Sequence, residues 1–163
     1  MQCIYIRHGS TSYSLDNLFA GRKNLPVIFF DEKKLDEAFV RLENLKPDFL
    51  VHSPLLRTVQ TAELFYKKYN FKNIICEPLL IERDFGVFEG LKKTPENRLS
   101  LEAEISVESI EMIESRVKDF TEKYKGKKLL VVGHSAFYKF LIKFCTNFDK
   151  EELSCCESAN ISI

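Results

Sequence analysis

The chain has 163 residues, 45% of them apolar and 12% aromatic, with 24 basic side chains balanced by 24 acidic ones. A chain of this length and charge content buries a sizeable core, which excludes wholesale disorder. Zero formal net charge and a pI near 6.8 exclude a dedicated nucleic-acid binder and a basic membrane-surface protein, so any anion binding has to come from a local cluster.

Residues 3–6 (CIYI) form the first predicted strand. The apolar run 27–30 (VIFF) is expected in the core. Residues 31–45 place Leu35, Ala38, Phe39, Leu42 and Leu45 at helical spacing. Residues 49–51 (FLV) read as a strand, residues 55–69 as a helix carrying Val59, Ala62 and Phe65 inward, and residues 73–76 as a weaker strand. A helix follows over 107–124, with Val107, Ile110, Ile113, Val117, Phe120 and Tyr124 on one face and Ser106 as its N-cap. Residues 129–132 (LLVV) are a strand, 136–146 the last helix, and 159–163 alternate like an edge strand. With no repeat, low-complexity stretch or linker, residues 1–163 are expected to form a single domain. Strands alternating with helices predict an α/β fold, a three-layer α/β/α sandwich with a mostly parallel central sheet.

No apolar run approaches the roughly 18–20 residues of a membrane span. Residues 1–7 also lack the pattern of a secretory leader. Cys3, Cys76, Cys145, Cys155 and Cys156 are odd in number and show no C-x-x-C pair. They read as free thiols in a reducing cytoplasm, the first three buried in apolar stretches.

Ligand sites in parallel sheets form beyond the carboxyl ends of the strands. After Ile6 comes Arg7-His8-Gly9. After Val51 comes His52-Ser53-Pro54, with Arg57 one turn on, and after Val132 comes Gly133-His134-Ser135. All three histidines of the chain therefore stand at strand ends that a parallel sheet brings to one edge. Histidines with two arginines describe a local anion pocket, because guanidinium groups hold phosphate oxygens bidentately. A histidine among arginines is pushed toward its neutral form, with a free ring nitrogen as nucleophile. Gly9 lets the backbone approach a bound anion. Ser53-Pro54 opens the helix over 55–69, whose first N–H groups add positive potential. Each feature alone reads as structural, and together they point to phosphoryl chemistry.

These residues carry a resemblance. Arg7-His8-Gly9-Ser10-Thr11 resembles the signature of the histidine phosphatase superfamily, the phosphoglycerate mutase-like fold. Residues 53–62 (SPLLRTVQTA) are similar to its S-P-L-x-R-A-x-Q-T-A block, and 82–90 (ERDFGVFEG) to its E-x-x-F-G-x-W-E-G block. Glu108-Ser109 with Arg116-Val117 and Phe120 resembles its helix before the last strand, Gly133-His134 its second histidine, and residues 21–26 more faintly its G-x-x-D-x-P-L loop. The chain looks like the small phosphatase branch that includes alpha-ribazole phosphatase. The resemblance implies that His8 is the nucleophile and Glu82 the general acid and base, while Arg7, Arg57 and His134 hold the phosphoryl oxygens. It implies Ser14, Gly21, Arg22 and Ser135 as substrate-binding residues, and no metal or cofactor.

Departures from the pattern are Ser14 where asparagine is frequent, Ser135 where glycine is usual, Asn24 for the loop aspartate and Phe88 for tryptophan. His52 is expected to be structural, and Lys92, Lys93 and Arg98 solvated. Few residues separate Gly90 from Ser106, which suggests an open pocket and a small phosphatase, not a mutase. The expected partner is a small phosphorylated metabolite such as ribazole phosphate or a sugar phosphate, the pocket walls coming from residues 14–30 and 91–106. A phosphohistidine protein phosphatase, a phosphoglycerate mutase and a non-catalytic phospho-ligand-binding regulator are the alternatives. Phe137 defeats a G-x-S-x-G elbow at 133–137. Cys76 and Arg83 are one residue too far apart for a C-x5-R loop. Arginines beside two of the histidines disfavour a zinc held by His8, His52 and His134.

Overall fold

The computed structural model describes residues 1–69, 71 and 73–163. Six strands, β1 (Gln2–Arg7), β2 (Phe49–His52), β3 (Asn73–Cys76), β4 (Lys128–Gly133), β5 (Asn147–Phe148) and β6 (Ser158–Ser162), form one mixed sheet in the order β3-β2-β4-β1-β6-β5. The four strands from β3 to β1 run parallel. β6 is antiparallel to both of its neighbours.

Alternation of side chains across the pleat builds two apolar layers. Cys3, Tyr5, Val51, Leu129 and Val131 meet Ile113, Val117 and Phe120 of α5 (Ile110–Lys123) and Phe137 and Leu141 of α6 (Ser135–Leu141). Ile4, Ile6, Leu50, Leu130 and Val132 meet Leu35, Ala38 and Leu42 of α2 (Glu32–Leu45) and Ala62 and Phe65 of α3 (Leu56–Lys68). The central strands are thus covered on both faces, which is why they read as continuous apolar runs. Two short helices, α1 (Ser12–Leu15) and α4 (Pro95–Ser100), lie in the connections. No helix among the described residues is long and apolar enough to cross a membrane.

Local chemistry sets the helix ends. The Asp31 carboxylate accepts the Lys34 N–H to start α2, and the chain leaves it through a left-handed Lys46 ahead of Pro47. α5 starts later than the sequence suggests. Ser109 is its cap, accepting the Met112 N–H, while the Ser106 hydroxyl takes the Val87 N–H and the Glu108 N–H, which a cap at Ser106 would use, goes to the Asp84 carbonyl at 3.0 Å. The last helix stops at Leu141 and tightens into a 3-10 turn over Ile142–Phe144. β6 is not the sheet edge, since β5 pairs outside it.

Residues 27–30 are core only in part: Phe30 packs half-buried against the α2 and α3 layer. Ile28 and Phe29 are 57% and 56% exposed, and the Phe29 backbone bridges the buried Ser10. Cys76 is also exposed, at the end of the edge strand β3, while Cys3 is buried and Cys145 half-buried. All five thiols are free.

A smaller apolar cluster of Phe19, Phe88, Leu101 and Val107, with Phe85 against it, ties three connections together beside the carboxyl edge of the sheet. There the Phe19 N–H bonds the Leu91 carbonyl at 3.0 Å, the Gly90 N–H the Phe19 carbonyl at 2.9 Å, and the Lys93 N–H the Asn17 carbonyl at 2.9 Å. This zipper raises a wall over the strand ends.

Candidate active site

The β1–β4 register pairs Arg7 with Gly133, so His8 and His134 leave the sheet side by side. Their ring centroids are 5.3 Å apart. The His8 N–H extends the ladder by bonding the Gly133 carbonyl at 3.1 Å. Nδ1 of His8 lies 2.7 Å from the Gly9 carbonyl oxygen. A carbonyl can only accept, so Nδ1 carries the proton and Nε2 keeps its lone pair. The Arg57 Nε–H donates to that Nε2 at 3.1 Å. Burial holds the His8 pKa well below the ordinary 6.5, and the charges of Arg57 and Arg7 push it in the same direction. The ring is a neutral, aimed nucleophile.

Arg57 is wholly buried in the first turn of α3. Its Nη1 donates to the Lys23 carbonyl at 2.7 Å and its Nη2 to the Gly21 carbonyl at 2.8 Å. Burial lowers its pKa to about 10, which leaves it charged at neutral pH. The carbonyl-bearing loop is held in turn by Glu89, whose carboxylate accepts the Arg22 N–H at 2.7 Å. Gly21 has a left-handed φ of 48°, and a Cβ there would lie 2.8 Å from Glu89 Cγ and nearer still to its carboxyl. Only glycine fits. Arg7 is braced by the loop before β6: its N–H bonds the Glu157 carbonyl at 3.0 Å and its Nη1 the Leu153 carbonyl at 2.8 Å. Its buried Nε has no partner among the described residues.

Glu82 is 5% exposed. Its Oε1 accepts the Arg83 N–H at 3.0 Å and the Phe137 N–H at 3.1 Å, and its Oε2 the Ala136 N–H at 3.3 Å. The carboxyl is thereby seated on the first turn of α6. Arg116 fixes the stretch before it, donating to the Leu79 and Ile81 carbonyls while gripping Glu108 bidentately at 2.8 Å through Nε and Nη2. His134 is fully buried. Its backbone N–H and carbonyl both bond the Tyr5 hydroxyl, at 2.8 and 2.9 Å. Its Nε2 is 2.8 Å from Ser53 Oγ, and its buried Nδ1 has no partner among the described residues.

Arg7, His8, Arg57 and Glu82 line one cavity of about 470 Å3, together with Ser14, Gly21 and Ser135. His134, wholly buried, is not among the lining residues and packs its ring edge-on to that of His8. Arg22 is turned away, its guanidinium 3.5 Å from Asp84 and 3.4 Å from Glu108. Ser14 faces the cavity with its hydroxyl already committed, donating to the Thr11 carbonyl and accepting the Thr11 N–H, both at 2.8 Å. His52 is half-buried and off the wall, its Nδ1 bonded to the Ser53 carbonyl at 2.9 Å. The start of α3 offers no free N–H at Leu55 or Leu56, which bond Ser53 Oγ at 3.4 Å and Asn24 Oδ1 at 2.7 Å. Gly9 makes room for neighbours, since a Cβ there would lie 2.7 Å from Val27 and Phe30 side-chain atoms.

Residues 14–30 and 91–106 do supply part of the wall, as the sequence suggested, but sequence reasoning gave no role to several of its charged members. Arg83, Lys93, Arg98 and Lys139 line the cavity, as do Glu102 and Glu152. Lys93, half-buried, and Arg98, exposed, are therefore wall residues too, and residues 91–106 line the pocket despite their small number. The available signal was Thr94-Pro95, a helix start that puts Arg98 one turn in; Thr94 caps α4 by accepting the Asn97 N–H. No local signal marks Lys139 or Glu152. Arg83 and Glu102 form a bidentate pair at 2.8 Å, and Lys139 pairs with Glu152. Among the described residues no three His, Cys, Asp or Glu side chains are grouped to hold a metal ion.

Comparison with known proteins agrees with this geometry. The Histidine phosphatase superfamily (branch 1) matches residues 3–163. An uncharacterized phosphatase, PhoE, of Bacillus subtilis is 28% identical over 156 residues, covering 90% of this chain and 78% of that protein. A 2,3-bisphosphoglycerate-dependent phosphoglycerate mutase of Sinorhizobium fredii is 25% identical, over 92% of this chain and 82% of its own length. In fold, the chain superimposes on the alpha-ribazole phosphatase of Shigella flexneri with a TM-score of 0.76 at 19% identity, over 100% of this chain and 91% of the other. It superimposes on a phosphoglycerate mutase from Thermus thermophilus with a TM-score of 0.73 at 22% identity, over 98% and 92%.

Proposed function

This chain belongs to the histidine phosphatase superfamily, and we propose that, as one catalytic domain over residues 1–163, it hydrolyses a small phosphate monoester through a phosphohistidine at His8 without a metal. The observation that carries the reading is the His8 ring, neutral and fixed through Nδ1 by the Gly9 carbonyl, with the Nε2 lone pair beside Arg57. A phosphoryl group entering the cavity takes over the Arg57 Nε–H, freeing Nε2 to attack phosphorus in line. The phosphorus–oxygen bond to the alcohol breaks as Glu82, acting as general acid, gives a proton to the leaving oxygen. Water then attacks the phosphohistidine as Glu82 takes back a proton, and His8 is released with inorganic phosphate. Charge on the equatorial oxygens is met by Arg57 and by the Nε–H of Arg7, which has no partner among the described residues. Five free cysteines support a reducing, cytoplasmic setting.

The wall supports a narrower substrate class. Its three carboxylates are engaged: Glu82 by backbone N–H groups, Glu102 by Arg83 and Glu152 by Lys139. Lys93 and Arg98 face the cavity with no carboxylate partner among the described residues. This favours an ester with a second anionic group over one whose body is uncharged, such as ribazole phosphate.

The test is hydrolysis of an aryl phosphate in excess EDTA by wild type and His8→Ala, with vanadate as inhibitor. Turnover that survives EDTA, is blocked by vanadate and disappears in His8→Ala is expected. Turnover retained by His8→Ala, or a wild type inert toward aryl and metabolite esters alike, overturns the reading. For the substrate class, the double variant Lys93→Ala/Arg98→Ala is expected to raise KM about tenfold or more for a bisphosphate or phosphorylated acid and little for an aryl ester.

A further inference from the structure

We propose that Ser53 is a positioning residue that sets the tautomer of His134, so that His134 presents an Nδ1–H to the transferring phosphoryl group. The inference rests on the phosphohistidine reading for its role in turnover, though not for the tautomer itself. Ser53 Oγ is wholly buried and has two neighbours in hydrogen-bonding range among the described residues, the Leu55 N–H at 3.4 Å and His134 Nε2 at 2.8 Å. The amide can only donate. Were His134 Nε2 also a donor, both the buried hydroxyl hydrogen and the Nδ1 lone pair would lack partners among the described residues, whereas a hydroxyl that donates to Nε2 leaves only the Nδ1–H unmet. The hydroxyl therefore donates to Nε2, and the ring hydrogen sits on Nδ1. That Nδ1 is the buried ring nitrogen left without a partner, on the histidine packed against His8. His134 does not itself line the cavity, but its ring packs against His8, which does, so a buried donor with no acceptor in the resting protein is explained if a phosphoryl group held at His8 supplies one.

The surroundings of Ser53 fit this role. Its N–H bonds the Val132 carbonyl at 3.2 Å, next to the strand end that carries His134. Its own carbonyl accepts from His52 Nδ1 at 2.9 Å and lies 2.7 Å from the Thr58 hydroxyl, whose one hydrogen it shares with the Leu55 carbonyl at 2.6 Å. These contacts pin the Ser53 backbone while its side chain addresses one ring nitrogen. This gives His52, which the cavity does not use, a place in the same arrangement. The two histidines end with the same tautomer put to opposite uses. In His8 the Nδ1–H is spent on Gly9 and Nε2 is the nucleophile, whereas in His134 the Nε2 is occupied by Ser53 and Nδ1–H is the donor.

The experiment is a long-range 1H–15N correlation on the uniformly 15N-labelled protein at a pH where its histidines are neutral, paired with kinetics of Ser53→Ala and Ser53→Thr on an aryl phosphate. Wild-type His134 is expected with its hydrogen on Nδ1, its signals moving when vanadate binds. A hydrogen on Nε2 in the wild type overturns the proposal. Ser53→Ala, which removes the donor, is expected to populate the other tautomer and to lower kcat about tenfold with a much smaller change in KM, since the contact strengthens as charge develops. Ser53→Thr keeps the hydroxyl and is expected to recover the wild-type tautomer and most of kcat. Ser53→Ala with unchanged kcat and an unchanged Nδ1–H tautomer also overturns the proposal, since Ser53 would then set neither. A wild type inert toward every ester defeats the phosphatase reading, and the wild-type tautomer still decides whether Ser53 holds His134 in this form.

Discussion

A single methyl group added at Gly133 tests how His134 is held. Gly133 ends β4 opposite Arg7, and Tyr5, two residues earlier in β1, reaches forward beneath it. The Tyr5 ring is fully buried, packed against Tyr138 with centroids 5.0 Å apart. A Cβ at position 133 would lie 2.6 Å from Tyr5 Cζ and nearer still to the hydroxyl, well inside ordinary contact. The ring has to move, and moving it breaks the hydroxyl's bonds to the His134 N–H and carbonyl at 2.8 and 2.9 Å. Overpacking costs about 1–3 kcal/mol and each lost hydrogen bond about 1 kcal/mol. Gly133→Ala should therefore destabilise by about 3–5 kcal/mol, a large part of the ~5–15 kcal/mol of a typical domain. At this chain length the Tm should fall by about 10 °C. Tyr5→Phe removes the hydrogen bonds without the clash and should cost only about 2 kcal/mol. Urea unfolding with an unchanged m value gives both numbers. A Gly133→Ala protein within about 1 kcal/mol of wild type, or one more stable than Tyr5→Phe, would refute the reasoning.

Arg57→Lys keeps the charge but cannot reproduce the three directed bonds to His8, Lys23 and Gly21; kcat/KM on an aryl phosphate should fall about 100-fold or more, and a loss below about threefold would show that charge alone suffices. Burial, then the neighbouring arginines, holds the pKa of His8 and of His134 well below 6.5. The unfolded chain therefore takes up protons near pH 6.5 that the folded one refuses, so their contribution is whole above that pH and is lost as the pH falls below it. The urea midpoint should drop between about pH 8 and pH 5.5, and a flat profile would contradict the buried neutral rings. Burial of Glu157 works to raise its pKa, but hydrogen bonds from Lys150 and Ser154 outweigh it and hold the carboxylate at about 2, against 4.5 when free. The stability this adds is present above about pH 4.5 and is lost as the pH falls toward 2. Glu157→Gln should flatten that acid limb of a thermal-melt series.

The central strands were legible because both faces of β1 and β4 are covered, which leaves four-residue runs with no polar interruption. The start of α5 was not legible from its own residues. Ser106 and Ser109 are equally good caps in isolation, and what separates them is tertiary: the Asp84 carbonyl takes the Glu108 N–H and the Val87 N–H donates to the Ser106 hydroxyl. The histidines divide by parity and depth. His52 is still inside β2, level with Val132, and shares the pleat side of Leu50, so it points toward the α2 and α3 layer. His8 and His134 lie one residue past their strands, where the backbone is free of the pleat. Counting strand-end histidines found the correct edge of the sheet, and only the register could say which two share it.

Composition is silent on the pocket because pairing is a tertiary event. The chain has as many acidic as basic side chains, yet the cavity is cationic, and what decides this is where the carboxylates are used. Arg22 and Arg98 flank the same region and look equivalent in sequence. Arg22 finds Asp84 and Glu108, the latter already anchored by Arg116, and its guanidinium is drawn out of the cavity. Arg98 projects from α4, a six-residue helix whose acidic residue, Glu96, sits in the first turn, and it meets no carboxylate among the described residues. Lys93, half-buried between Arg7 and Arg98, has its pKa lowered first by burial and then by Arg7. Crowding three cations is unfavourable in the empty protein and favourable once an anion enters, so the same repulsion that raises the energy of the resting wall becomes affinity for a substrate with a second negative group.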